Sequence, residues 1–197
     1  MTAEPIAEVL IDRTRLRRRI DELAAELDDE LRGREPAVLV GILKGSTLFL
    51  SDLVRCLTVD VVVDFMSISS YSSGGSGVVR IVKDLDEDVA GRDVVVVEDI
   101  VDTGLTLNYL RRTLEARGAR SLRTIALLDK AARRIVPVPV EHIGFEIPDV
   151  FVVGYGLDFQ GRYRNLADIL AVKDIARLAN DPTALVATTF RDGSTSG

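Results

Sequence analysis

Three carboxylates stand close together at Glu98, Asp99 and Asp102, and Thr103, Gly104, Leu105 and Thr106 follow without a break. The stretch VVVVEDIVDTGLT therefore runs from four valines into two adjacent acids and then into a short Asp-Thr-Gly turn. Gly104 lets the backbone approach a ligand closely, Thr103 and Thr106 offer hydroxyls, and a helix beginning here would present free N–H groups and a partial positive charge. An anion at such a helix start gains roughly 0.3–1 kcal/mol from the helix terminus alone. The turn thus has the parts of a monophosphate cradle. Acids so close to an anion need another partner, and sugar hydroxyls or a Mg²⁺ ion shared with a diphosphate would supply one. The plainer alternative has Glu98 and Asp99 as solvated acids at a strand end and Asp102 as a helix N-cap. The Gly-Lys-Ser/Thr ending of a Walker loop is missing here, as is the GxGxxG of a dinucleotide site.

Such residues need a scaffold, and the hydrophobic pattern supplies one. Ile11, Leu16, Ile20, Leu23, Leu27 and Leu31 recur at helical spacing, and Gly33 sits where a C-cap would end that helix. Ala37–Leu43 is a short, wholly apolar run of the kind buried on both faces of a parallel sheet. Leu50, Leu53, Val54 and Leu57 mark a second helix, and Val59–Ile68 a second strand. Val78–Leu85 alternates and returns as a strand. Asp93–Ile100 is the strongest strand signal, followed by a helix striped by Leu107, Leu110 and Leu114 that ends near Gly118. Ser121–Lys130 and Asp149–Gly156 are further strands. Strands alternating with helices predict an α/β fold with a parallel-sheet core flanked by helices. Ligands of such sheets sit beyond the carboxyl ends of the strands, where the Asp102–Thr106 turn falls. Ser69–Gly77 has almost nothing to bury and reads as a mobile loop, and the tail Arg191–Gly197 as disordered.

The 197 residues suffice for one domain with a sizeable core. A formal net charge of −6 argues against a nucleic-acid-coating surface, which needs a basic stripe. One cysteine, Cys56, rules out an internal disulfide framework and fits a reducing cytoplasm. No window approaches a membrane span. Soluble and cytoplasmic is the expectation, with no membrane or nucleic-acid partner.

EDIVDTGLT resembles the phosphoribosyl-pyrophosphate motif of type I phosphoribosyltransferases, and more closely that of their hypoxanthine-guanine members. The resemblance runs from about Leu39 to Asp168 and carries separate motifs in the family's order: LKGS, SSY, VVRIVKDLD, LLDK, GFEIPDVFVVGYGLDF and RYRNL. It implies one phosphoribosyltransferase domain with a small hood lobe, built from N-terminal residues and roughly residues 156–190. It implies Mg²⁺, phosphoribosyl pyrophosphate (PRPP) and a 6-oxopurine as partners, in a homodimer or homotetramer. Glu98 and Asp99 would meet the ribose hydroxyls, directly or through the metal, and Asp102–Thr106 the 5′-phosphate. Asp102 also matches the family's general base, which takes a proton from the purine as N9 attacks the anomeric carbon.

By the same resemblance Lys130 donates to the purine O6, which selects a carbonyl over the amino group of adenine. Phe151 stacks on the base, Val152 reads its edge through the backbone, and Asp158 joins the purine site as a further metal-facing acid. Lys44, Gly45 and Arg164 face the pyrophosphate, and the peptide before Lys44 can be cis in this family. Ser70 and Tyr71 begin a lid, sparser here at Gly74-Gly75-Ser76. The residues themselves leave Lys130 open as an exposed strand-end lysine and Phe151 as a core aromatic. His142, Cys56 and the arginines Arg17–Arg19 read as structural or solvated, His142 having no acid at a useful spacing. A regulator that senses PRPP without turnover, and transferases for xanthine, adenine or uracil, are the alternatives. The segment after RYRNL is longer than the family's short C-terminal end.

Overall fold

A computed structural model of the chain describes residues 5–71 and 78–189. The chain divides into two units. One comprises the residues up to Leu16 together with those from Val150 onward, and the other runs from Arg17 to Asp149.

The larger unit is built on a six-stranded sheet. Its strands are β2 (Ala37–Leu43), β3 (Val61–Tyr71), β4 (Val78–Lys83), β5 (Asp93–Val101), β6 (Ser121–Asp129) and β7 (His142–Glu146), ordered β4-β3-β2-β5-β6-β7. Every neighbouring pair is parallel except β3–β4, which is antiparallel at the edge. The central strands have no water-facing side: Val38, Leu39 and Val40 of β2 and Val94–Val97 of β5 are fully buried. This is why both read as unbroken apolar runs rather than alternating ones. Helix α2 (Thr47–Cys56) packs on β2 and β5, and α3 (Leu105–Ala116) on β6. Leu107, Leu110 and Leu114 of α3 share a core with Val38, Val40, Val94 and Val96.

The smaller unit holds an antiparallel sheet in the order β1-β9-β8, formed by β1 (Ala7–Ile11), β8 (Phe151–Val153) and β9 (Ile169–Val172). Its core gathers Ile6, Val153, Tyr163, Leu166, Leu170, Val172, Leu178 and Leu185, with the short helices α4 (Ile175–Asn180) and α5 (Val186–Thr189) at the C-terminal side. Helix α1 (Arg13–Leu31) runs from one unit into the other.

The α/β architecture with a mostly parallel sheet agrees with the sequence reading, and three details differ. Ile11 belongs to β1, not to the helix. The Asp12 carboxylate accepts the N–H groups of Thr14 and Arg15, at 2.9 and 3.0 Å, and so starts α1 after it. The second strand begins at Val61 and extends through Tyr71. The strand expected over Asp149–Gly156 shrinks to Phe151–Val153 and leaves the parallel sheet altogether, whose last strand is instead β7. Gly154 and Gly156 take positive φ values of 100° and 97°, and Tyr155 takes 47°, conformations that end a strand. The expected lid residues Gly74-Gly75-Ser76 and the tail from Arg191 lie outside the described residues. Among those described, no helix is long and apolar enough to cross a membrane.

Candidate active site

Strands β5 and β6 run in register to their last pair, Val101 opposite Asp129. Asp102 and Lys130 are the next residue on each strand, and the Lys130 N–H still reaches the Val101 carbonyl at 2.9 Å. The sheet therefore delivers an acid and a cation side by side at its carboxyl edge.

After Asp102 the backbone turns through Gly104, whose φ of +83° suits glycine and which caps the start of α3 without a side chain. A Cβ at Gly104 would lie 2.6 Å from the Val136 carbonyl oxygen, so packing demands glycine as much as the dihedral does. The turn is clamped from behind. The Thr103 carbonyl accepts the N–H groups of Ile135 and Val136 at 2.9 and 3.1 Å, and the Thr103 hydroxyl lies 3.4 Å from the Leu105 N–H. Asp102 is thus not the N-cap: Gly104 holds that position. Leu105 and Thr106 are exposed on the first turn of α3, whose first N–H groups have no carbonyl partner within the helix.

Glu98 is buried and Asp99 half-buried. Burial pushes the Glu98 carboxyl well above the ordinary glutamate range, and the neighbouring Asp99 charge adds to the shift. Asp99 accepts the N–H of Ile100 at 2.8 Å. Its Oδ2 occupies the space a Cβ would need at Gly45, which joins the β2–α2 loop to the same site. In that loop the Leu43–Lys44 peptide is cis, the Lys44 carbonyl accepts the Thr47 hydroxyl at 2.8 Å, and the Lys44 side chain is exposed. No cluster of three or more acidic, imidazole or thiol groups suited to a metal occurs among the described residues.

Lys130 is buried, with only 6% of its surface exposed, which removes the exposed strand-end reading. Its Nζ lies 3.9 Å from Oδ1 of Asp149. A single 3₁₀ turn, Ala131–Arg133, follows. Arg133 then brings its Nε to 2.9 Å from Oδ1 of Asp102 and its Nη1 to 3.3 Å from Oδ1 of Asp149. The contact with Asp102 is one of charge: Oδ1 is shielded from solvent and has no aligned hydrogen-bond donor among the described residues. Arg134 pairs with Asp129, whose carboxyl burial nevertheless raises above the usual aspartate range. Sequence reasoning passed over Arg133 and Arg134. Their signal was two adjacent arginines just past the lysine, visible only once the chain is known to fold back on the turn.

In the smaller unit, Phe151 is half-buried and meets Phe159 edge-to-face, with centroids 5.8 Å apart, and Val152 is buried. Asp158 and Arg164 form a pair at 2.6 Å, and Arg164 also donates to the Gly156 carbonyl at 2.5 Å. Ser70 and Tyr71 close β3 as backbone.

His142 does have acid partners. Its Nδ1 lies 3.1 Å from Glu26 and its Nε2 3.3 Å from Glu30, both on α1 and more than a hundred residues away in sequence. Arg19 is also no solvated arginine. It donates to the carbonyls of Ile143 and Gly144, at 2.9 and 3.2 Å, and fastens α1 to β7. Cys56 directs its thiol to Asp21 at 3.2 Å. All three serve the scaffold.

A sequence profile described as the phosphoribosyl transferase domain matches residues 10–160. The chain belongs to the phosphoribosyltransferase family. Among known proteins it is similar to the hypoxanthine phosphoribosyltransferase of Escherichia coli (strain K12), with 50% identity over 162 residues covering 81% of this chain and 91% of that one. It is 48% identical over 170 residues to the bifunctional protein TilS/HprT of Listeria monocytogenes, covering 85% of this chain and spanning only 26% of that protein's length. A crystal structure of a hypoxanthine phosphoribosyltransferase from Staphylococcus aureus superposes with a TM-score of 0.82 at 41% identity, covering 86% of this chain and 92% of that one.

Proposed function

We propose that the chain is a purine-salvage enzyme that transfers the 5-phosphoribosyl group of PRPP to N9 of hypoxanthine and/or guanine, giving IMP or GMP and pyrophosphate. The observation that carries this reading is the pairing of Asp102 and Lys130 just beyond Val101 and Asp129, at the mouth of a glycine turn that opens α3. An acceptor and a donor fixed that way suit one planar base with an N–H and a carbonyl on the same side. The turn beside them suits a phosphate.

In this reading the N–H groups and hydroxyls of Thr103, Gly104, Leu105 and Thr106 hold the 5′-phosphate, and Glu98 and Asp99 face the ribose alcohols. The C1–O bond to pyrophosphate breaks and a C1–N9 bond forms, while Asp102 accepts the proton that leaves N7. Lys130 donates to O6. Lys44, Gly45 and Arg164 serve the pyrophosphate, Phe151 and Val152 the base, and Ser70 and Tyr71 the start of a lid that excludes water. We take the β1-β9-β8 unit as the hood lobe.

Two adjacent carboxylates fit Mg²⁺, a hard cation that takes one or two protein carboxylates and completes its shell with substrate oxygens. Glu98 and Asp99 would hold it, with Asp158 as a further acid. When bound, the ion supplies positive charge to the diphosphate. A cation would also favour the ionised form of Glu98, which burial alone opposes. The setting we propose is the cytoplasm and the working form a homodimer or homotetramer.

The test is direct: incubate the chain with PRPP, Mg²⁺ and, separately, hypoxanthine, guanine, xanthine, adenine and uracil, and follow nucleotide formation. IMP or GMP formation supports the reading. Turnover with adenine or uracil alone, or PRPP binding without turnover of any base, would remove it.

A further inference from the structure

Resting on the reaction proposed above, we infer that Arg133 and Asp149 are positioning residues that couple Asp102 to Lys130. Four side chains of alternating sign stand in a row. Oδ1 of Asp102 lies 2.9 Å from Arg133 Nε, Arg133 Nη1 lies 3.3 Å from Oδ1 of Asp149, and that oxygen lies 3.9 Å from Lys130 Nζ. The backbone repeats the link, since the Arg133 N–H reaches the Lys130 carbonyl at 2.9 Å within one 3₁₀ turn. The acid end and the amine end of the row are the two groups that must engage one base at a fixed separation.

The row does little for stability. Arg133, Asp149 and Asp102 are 46%, 55% and 39% exposed in their side chains, and ion pairs so open to water contribute little to folding. Its consequence falls on geometry, where a displacement of about 1 Å at the reacting groups costs roughly a hundredfold in rate. The contact of Arg133 with Asp102 suits this role. The guanidinium lies beside the carboxylate without an aligned hydrogen bond, so charge attraction to the shielded Oδ1 is what sets where the Asp102 carboxylate stands. A planar fork also faces two carboxylates at once, whereas an ammonium is a single point of charge. Arg133 thus sets Asp102 and, through Asp149, draws Lys130 toward the same edge.

The experiment is steady-state kinetics of the full chain with PRPP, Mg²⁺ and hypoxanthine or guanine, for Arg133→Ala, Arg133→Lys, Asp149→Ala and the double Ala variant. Removing Arg133 is expected to lower kcat about tenfold or more and raise the KM of the base, with the KM of PRPP within about twofold of the parent. Arg133→Lys should fall between parent and Ala. The double variant should lose little beyond Arg133→Ala, because coupled residues are non-additive. Unchanged kcat and base KM in Arg133→Ala, or additive losses in the double variant, would overturn the coupling. So would a loss spread evenly over both substrates with a lowered melting temperature. Absence of turnover in the parent chain would instead sink the reaction itself, which separates the two failures.

Discussion

The carboxylate of Asp99 rests directly against Gly45, so that a side chain of any size at that glycine would overlap Oδ2. The loop after β2 and the last residues of strand β5 are thereby pinned to each other at the edge where substrate is expected. Gly45→Ala should push Asp99 aside while leaving the buried strands intact. The expected result is a loss of about a hundredfold in kcat/KM for PRPP, with little change in melting temperature. Kinetics with varied PRPP at saturating base would check it, and an unchanged kcat/KM would contradict the contact.

Asp102→Asn removes the proton acceptor while keeping its size. Turnover should drop between about 100- and 10,000-fold, the span typical of a lost general base. The turn that would hold phosphate is clamped through the Thr103 carbonyl and shaped by Gly104, neither of which the substitution touches. PRPP affinity, read by calorimetry, should therefore stay within a few-fold. Turnover equal to the parent's would remove Asp102 from the chemistry.

The parts legible in the sequence were those whose signal is local. Ala37–Leu43 could be bounded to the residue because every position of β2 is apolar and both flanks are polar or proline. The Glu98–Thr106 turn stood out because strand, acids and glycine follow one another directly. What escaped depends on distant partners. β1 acquires its strand character from pairing with β9, Ala7 opposite Val172, and no local pattern records that. β7 is short and mixed, His-Ile-Gly-Phe-Glu, and its place as the last parallel strand is set by β6 and by Arg19 reaching across from α1. The role of Arg133 was hidden for the same reason, since its two carboxylate partners are far from it in the chain.

Lys130 is the buried cation beside the proposed base site, and its companion Asp149 is half-exposed. Lys130→Ala should leave Asp149 to water at little cost, while the O6 of a 6-oxopurine loses its donor. Discrimination between hypoxanthine and adenine, taken as the ratio of kcat/KM values, is expected to fall by about a hundredfold or more. Selectivity that survives the substitution would move the O6 contact elsewhere.

Asp93 anchors the entry of β5 far from the chemistry. Its carboxylate accepts two N–H groups of Arg120, at 3.2 and 2.9 Å, and the Ser121 hydroxyl at 2.5 Å, with Arg34 at 3.6 Å. The Arg120 hydrogen bonds lead in holding this carboxyl down to about 2, below the usual aspartate range. Because the folded carboxyl titrates below an unfolded one, near pH ~3.9, the unfolded chain takes up the proton first as pH falls. The stabilisation is therefore complete above about pH 4 and disappears as pH falls through 2. Asp93 is only 1% exposed but Arg120 is 45% exposed, so screening reduces its size to about 1–2 kcal/mol. Asp93→Asn should lower the urea unfolding free energy by that amount at pH 7, and the difference from the parent should narrow steadily between pH 4 and 2. A gap that stayed constant across this range would show that the charge of Asp93 does not stabilise the start of β5.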